Sequence, residues 1–75
     1  MPVDQVNAQY LNMFVNQTRP KIVAAEAWAK RLNDVAQADP DMDEEIEAAT
    51  AAMYEAAKAA RERCDAIALR LGWKF

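Results

Sequence analysis

ADPDMDEEIEAATAAMYEAAKAA, residues 38–60, is the stretch that decides the fold of this chain. It opens with Pro40 between two aspartates, which is a strong turn signal. It continues as an alanine- and glutamate-rich run of strong helix formers. Either aspartate suits the start of that helix, because Asp39 would place Pro40 at the first helical position and Asp41 would place Glu44 at the capping-box spacing. The stretch therefore predicts a tight turn followed by a long helix.

The helix after the turn is predicted to run from about 41 to 71. Its acids lie in the first turns and its bases in the later half, which matches the helix dipole. Gly72 follows at the place of a left-handed terminating residue. Apolar residues recur three or four positions apart, with one irregular step near Ala60. We predict that this row packs against the rest of the chain; its members are Met42, Ile46, Ala49, Met53, Ala56, Ala60, Cys64, Ile67 and Leu71.

The part of the chain before the turn is predicted to form helices at about 4–17 and 19–37. Proline disfavours helical backbone at the residue before it and removes a hydrogen-bond donor, so the first helix should stop or kink at Pro20. Thr18 is then the N-cap of the second helix. The apolar face predicted for that second helix, with Trp28 on its flank, comprises Ile22, Ala25, Ala29, Leu32, Val35 and Ala36.

These elements predict an all-α fold. A connection as short as 38–40 joins only antiparallel neighbours, so we expect a helical hairpin in which residues 4–37, kinked at Pro20, pack along residues 41–71. At 75 residues the chain is one domain, spanning residues 1–75, and a domain of this size buries only about 60% of its unfolded surface.

The apolar residues are too widely distributed for one helix–helix contact. Large exposed apolar patches on a small chain mark association surfaces. We therefore predict a homo-oligomer, at minimum a dimer that forms a four-helix bundle and alternatively a larger symmetric ring. The residues that cannot all face one neighbour are Ile22, Val23, Trp28, Met53, Tyr54, Ala57 and Ile67.

Composition excludes several classes of function. The chain has no His, one Cys, one Gly and no Ser, which argues against zinc sites, His-based acid–base catalysis, serine nucleophiles and glycine-rich phosphate loops. We expect no enzyme, no cofactor and no metal site, and we expect Cys64 to be inert packing. A formal charge of −3 argues against a nucleic-acid partner. Short apolar runs and an N-terminus without a basic region argue against membrane insertion and secretion, so we expect a bacterial or phage protein of the cytosol.

A basic band is predicted where the two arms meet near mid-rod. A helix start flanked by cations binds anions well, because free backbone donors and the helix dipole act together. The band would form a phosphate or nucleotide pocket completed across subunits. The alternative is a solvated face whose charges are balanced by Glu55, Glu62 and Asp65. The candidate ligand-binding residues are Tyr10, Thr18, Arg19, Lys21, Lys58 and Arg61.

Aromatic residues supply a second set of candidates, for binding a protein partner. Two of them follow the predicted end of the long helix, where they are either a hook for a partner or a strap that closes the hairpin over Tyr10 and Phe14. We favour the strap, since tails without an anchor are normally disordered. The candidate partner-binding residues are Trp28, Tyr54, Trp73 and Phe75.

Residues 19–71, a polar-capped hairpin with an Asp-Pro turn and an alanine-rich second helix, resemble the small hairpin proteins with which some phages sequester cyclic nucleotide signals. The nearest match in pattern is the segment with Ala49, Met53, Glu55 and Ala56. Proteins of that kind form symmetric oligomers with pockets between subunits, so the resemblance implies a nucleotide pocket of that type. It is a resemblance of outline, and no ligand-binding residue is carried over from it.

Three functions follow from these features. The leading one is a small non-enzymatic binding protein, encoded by a phage or a bacterium, that modulates or inhibits a larger protein as a homo-oligomer. The alternative is an oligomeric sponge that sequesters a phosphorylated, cyclic nucleotide-like signal in pockets between subunits. The third is a structural assembly subunit.

Overall fold

The computed structural model describes residues 3–74, and the side chains of residues 8–74. Three α-helices are present: α1 (Val3–Asn12), α2 (Arg19–Ala38) and α3 (Glu44–Arg70). A π-helical turn, Met13–Thr18, joins α1 to α2. No strand occurs within residues 3–74, which confirms the all-α prediction. The described part of the chain is a rod of 57 × 17 × 15 Å.

The first arm is helical from α1 through α2: α2 begins at Arg19, as the sequence predicts, but Thr18 does not act as a cap that breaks the helix. Thr18 has helical dihedrals, φ −87° and ψ −49°, and its side chain makes no capping hydrogen bond. The backbone N–H of Arg19 donates to the carbonyl of Phe14, five residues back. A π-helical turn shifts the hydrogen-bond register by one residue. Pro20 follows directly after this register shift, as the second residue of α2, and the helix continues through it without the hydrogen bond that an N–H at this position would donate.

The turn between α2 and α3 uses its aspartates in a different order from the one predicted. The Asp39 carboxylate accepts the Asp41 N–H at 2.9 Å, a local contact that shapes the turn. Asp43 is the N-cap of α3, since its Oδ1 accepts from Glu45 N at 2.8 Å and Ile46 N at 3.3 Å. The prediction of Asp39 or Asp41 as the cap is therefore wrong. The turn needs both residues, and the next aspartate starts the helix.

The end of α3 confirms the prediction for Gly72. Its φ is +102°, a region that residues with a side chain rarely adopt. The Gly72 N–H donates to Leu69 O at 3.1 Å, and the Trp73 N–H donates to Ala68 O at 2.9 Å. These two bonds are the Schellman pattern, which reverses the chain and satisfies the last carbonyls of the helix.

The two arms pack side by side in opposite directions, and ion pairs join Glu26 to Arg61 and Arg19 to Asp65. The contact follows one heptad row on each helix, which we name the inner seam. On α2 it contains Ile22, Glu26, Ala29, Asn33 and Ala36, and on α3 it contains Thr50, Tyr54, Ala57, Arg61, Cys64 and Ala68.

The row that the sequence predicts for α3 is mostly outside this contact. Of its members, Cys64 is buried and Met42 and Leu71 are half-buried. Ile46 and Met53 each expose 53% of their surface and Ile67 exposes 40%. The prediction chose the row with the largest apolar side chains. The arms instead meet through a row whose buried members are small and across which Glu26 pairs with Arg61.

Within residues 3–74, none of the helices combines the length and the apolar character that crossing a membrane requires.

Candidate interaction surface

A second heptad row on each helix carries the largest exposed apolar side chains, and we name the two rows together the outer seam. On α2, Trp28 is 67% exposed, Leu32 47% and Val35 60%. On α3 the equivalent positions include Ile46 and Met53, with exposed alanines between and after them. The full outer seam is Ala25, Trp28, Leu32 and Val35 on α2 and Ile46, Ala49, Met53, Ala56, Ala60 and Ile67 on α3.

Both halves of the outer seam lie on the same side of the hairpin. Gln37 of α2 and Ala51 of α3 line one shared groove, which marks the opposite side. At 3.6 residues per turn, Leu32 and Val35 are rotated from Gln37 by about 140–160°. Met53 is rotated from Ala51 by about 160° in the same way. The outer seam is therefore one continuous apolar face formed by two helices.

The area of this face is large for so small a chain. Six of its side chains expose between 40% and 67% of their surface. Since a large apolar side chain carries on the order of 200 Å², those six present about 600 Å² to solvent. The largest apolar patch on a typical monomer is about 300–600 Å², and a standard interface takes about 800 Å² from each side. With its alanines, the outer seam approaches the size of an interface.

Trp28 is the most exposed large apolar residue described. Its ring is held by Arg31, whose guanidinium lies 4.9 Å from the ring centroid. Such a cation–π contact restrains the ring without burying it. Trp28 therefore stands at the edge of the outer seam as an exposed aromatic surface that contacts Arg31.

Two cations of the predicted basic band are occupied within the hairpin. Arg61 pairs with Glu26 and, at 3.4 Å, with Asp65, while Arg19 Nε donates to the other Asp65 oxygen at 2.7 Å. The four side chains expose only 14–30% of their surface. The hydrogen bond with Glu26 is the main cause that raises the pKa of Arg61, with Asp65 acting in the same direction and desolvation opposing them. These groups form a cluster of two acids and two bases at the inner seam and beside it, and the more exposed Glu62 carboxylate lies 4.0 Å from Arg61.

The remaining candidate ligand-binding residues are spread over the rod. Lys21 lies on the same side of α2 as Trp28, whereas Lys58 lies on the same side of α3 as Ala51, across the hairpin. Tyr10 is 50% exposed. Thr18 is half-buried inside the continuous helix and has no free helix start beside it. The structure thus brings Arg19 and Arg61 together and leaves the other four apart.

The C-terminal aromatics lie against the first arm where the structure describes them. Trp73 is half-buried beneath Arg19, whose guanidinium is 4.9 Å from the ring centroid. It also borders a groove lined by Leu11, Asn12 and Val15, whereas the strap predicted from the sequence lies over Tyr10 and Phe14. Tyr54 is half-buried in the inner seam. Phe75 lies outside the described residues.

Cys64 has the properties of a packing residue. It is 3% exposed, and its thiol lies 3.7 Å from the Phe14 carbonyl as a weak donor. Burial is the main cause that raises the pKa of Cys64; Asp65 adds to the effect and Arg19 opposes it. A raised pKa keeps the thiol protonated, and the thiolate is the reactive form.

Sequence reasoning missed the outer seam as a surface. It assigns Leu32, Val35 and Ile46 to the inside of the hairpin, and it places Met53 in the same inner row although Met53 is also among the residues that cannot all face one neighbour. A usable signal is present, since two heptad rows can be traced on each helix and a hairpin buries only one of them. Comparison with known proteins adds no further guide: no protein-family model matches the chain, and neither a curated protein nor a solved structure shows significant similarity to it.

Proposed function

We propose that this chain is a small non-enzymatic binding protein that self-associates through the outer seam into a helical bundle and, in that form, modulates a larger protein. The observation that carries the proposal is the outer seam itself, a continuous apolar face with Trp28, Leu32, Val35 and Met53 all about half exposed or more. Side chains of this kind are enriched at the centres of interfaces and are costly to leave in water.

The contrast with the inner seam supports self-association. The only fully or nearly buried residues described are Ala29, Ala36, Thr50, Cys64 and Ala68, all of them small. A core of that size contributes little hydrophobic free energy, while a small domain needs a well-filled core or an added partner to be stable. A second hairpin on the outer seam supplies the missing burial.

The contact with a larger protein is assigned to the edge of this face. Trp28 and Arg31 are both exposed there and are paired with each other. Tryptophan and arginine are the residue types that most often dominate binding energy at interfaces. The nucleotide-sponge alternative has weaker support, because Arg19 and Arg61 already pair with carboxylates of the same chain.

Native mass spectrometry of the full chain, purified without denaturation, tests the proposal. We expect a mass of two or more chains at micromolar concentration and no added mass. Met53→Glu should reduce the mass to one chain, because it places a charge within the apolar face. The matched control is Glu55→Lys, a charge change at an exposed position on the side of α3 opposite the outer seam, which should leave the assembly intact.

Two outcomes would count against the proposal. A wild-type chain that remains a monomer at micromolar concentration would contradict the proposed self-association. A closed oligomer with a few hundred daltons of added mass per site would favour the sponge. The contact with a larger protein is then tested by Arg31→Ala, at an exposed position beside the outer seam and not part of it, which should weaken capture of that protein without changing the oligomer mass.

A further inference from the structure

We infer that the outer seam receives a second copy of this chain with its rod reversed, about a two-fold axis that runs across the hairpin at the level of Met53. The inference rests on the proposed function and specifies the geometry of its self-association. In this arrangement α2 packs on α2 and α3 packs on α3, each pair antiparallel. The competing closed arrangement has its axis along the rod, keeps the two tips together and packs α2 on α3.

Charge is distributed unevenly along the rod, and this distribution favours the reversed arrangement over the one that keeps the two tips together. The end that carries the turn is acidic, with seven carboxylates between residues 34 and 47. The tips-together arrangement would place two such ends side by side, and like charges held close together destabilise a contact. Reversing one rod moves each acidic end to the opposite end of the dimer, beside the basic part of the other copy.

The spacing of charges along the edges of the outer seam fits the reversed arrangement. On α3, Glu45 and Arg63 are 18 residues apart, which is five helical turns, so both lie on the same edge. On the first arm, Lys21 and Asp39 are also 18 residues apart and stand at the two ends of the row that holds Trp28 and Leu32. Asp39 is the C-cap residue of α2, and its carboxylate also accepts the Asp41 N–H. Within residues 8–74, none of these four takes part in an ion pair.

Both charge pairs imply the same position for the axis. Glu45 and Arg63 have their midpoint at residue 54, and Lys21 and Asp39 have theirs at residue 30. In the antiparallel hairpin the Arg19–Asp65 ion pair places residue 30 beside residue 54, and the Glu26–Arg61 ion pair places it beside residue 57, so the two midpoints agree to within one helical turn. One two-fold axis therefore places each charge opposite its complement on the second copy.

The apolar residues are complementary about that axis as well. Met53 lies nearly on it and meets its own equivalent. Ile46 and Ala60 are equally distant from Met53, so the large side chain of one copy faces the small one of the other. In α2, Trp28 faces Leu32 in the same manner. Pairing large with small residues is how helix faces interdigitate.

Disulfide trapping in a Cys64→Ala background tests the geometry. Met53→Cys should cross-link to itself on mild oxidation. Ile46→Cys and Ala60→Cys should cross-link little when each is alone and efficiently when the two variants are mixed. The tips-together arrangement predicts instead a cross-link between Leu32→Cys and Met53→Cys, and that result would overturn the inference while leaving the proposed function intact. A wild-type monomer would overturn both.

Charge reversal provides a second test that introduces no cysteine. Glu45→Arg alone and Arg63→Glu alone should each weaken dimerisation several-fold, measured as the dissociation constant by sedimentation. The double variant should recover affinity, because it exchanges the signs at both ends of each pair. Glu55→Arg is the matched control, since Glu55 is exposed on the opposite side of α3, and it should leave affinity unchanged. Losses that simply add in the double variant would overturn the inference.

Discussion

The two seams of this hairpin differ in a way that reverses the usual relation between core and surface. The inner seam joins the arms, yet its buried members are small, and Glu26 and Arg61 pair across it. The outer seam faces solvent, yet it carries Trp28, Met53 and other large apolar side chains. Hydrophobic free energy scales with buried apolar area, so most of the area available for stabilisation lies on the face that one chain alone cannot cover.

The difference indicates that the seams perform separate tasks. Small residues in the inner seam let the arms approach closely, and the charge cluster of Glu26, Arg61, Asp65 and Arg19 favours one register between them. Buried polar groups are known to specify register at a cost in stability. The outer seam then supplies the apolar area that a partner can bury. Four variants test this division, from the largest expected effect to the smallest.

The largest effect is expected from overpacking the inner seam. Ala68 is fully buried, so Ala68→Leu should lower the free energy of unfolding by about 1–3 kcal/mol. Chemical denaturation at fixed protein concentration measures this loss. Ala59→Leu makes the same change at an exposed position away from both seams and should shift stability by less than about 0.5 kcal/mol. Equal losses at both positions would contradict the assignment of the inner seam.

The assignment of the inner seam marks the boundary of what the sequence predicts. The all-α fold, the turn after Ala38, the left-handed Gly72 and the burial of Cys64 follow from local rules, and the structure confirms them. Which row faces inward does not follow, because two heptad rows fit α3 and side-chain size favours the wrong one.

The charge cluster was also beyond sequence reasoning. Arg19 and Arg61 look like free cations in the sequence, and their carboxylate partners become visible only once the register of the arms is known. The continuous helix at Pro20 depends on a π-helical turn, and a rule about proline alone predicts a break there.

The second effect concerns the end of the inner seam, where Gly72 reverses the chain and Trp73 returns over the first arm. Gly72→Ala should cost about 1 kcal/mol, because alanine disfavours positive φ. The cost is backbone strain alone, since an added Cβ would have no neighbour within 4 Å. Gly72→Asn should cost less, as asparagine tolerates this region better. Thermal unfolding ranks the three proteins, and an alanine variant as stable as wild type would place Gly72 outside the helix end described.

A smaller effect is expected from weakening the charge cluster. Glu26→Gln keeps the shape of the side chain and removes its charge, so Arg61 retains Asp65 at 3.4 Å and the exposed Glu62 at 4.0 Å as charged partners. The denaturation midpoint should fall, with less effect at high salt because the lost contact is electrostatic. Glu55→Gln, at an exposed position outside both seams, should leave the midpoint unchanged. If Glu26→Gln behaves like this control, the cluster does not stabilise the inner seam.

The smallest effect is a pH dependence that Cys64 contributes alone. Burial raises the pKa of Cys64 above that of an unfolded thiol, so above about pH 8.5 the unfolded chain releases a proton that the folded chain retains. The folded state then binds more protons, and the free energy of unfolding falls as pH rises. Cys64→Ser lacks a group that titrates in this range. The free energy of unfolding of wild type minus that of the variant should therefore be constant below the pKa of the unfolded thiol. Above that pH the difference should fall, because only wild type loses stability there. Denaturation at a series of pH values measures that difference. A difference that stays constant across the series would mean that Cys64 is no less solvated in the folded chain than in the unfolded one, and the inner seam would then be open at the level of Phe14.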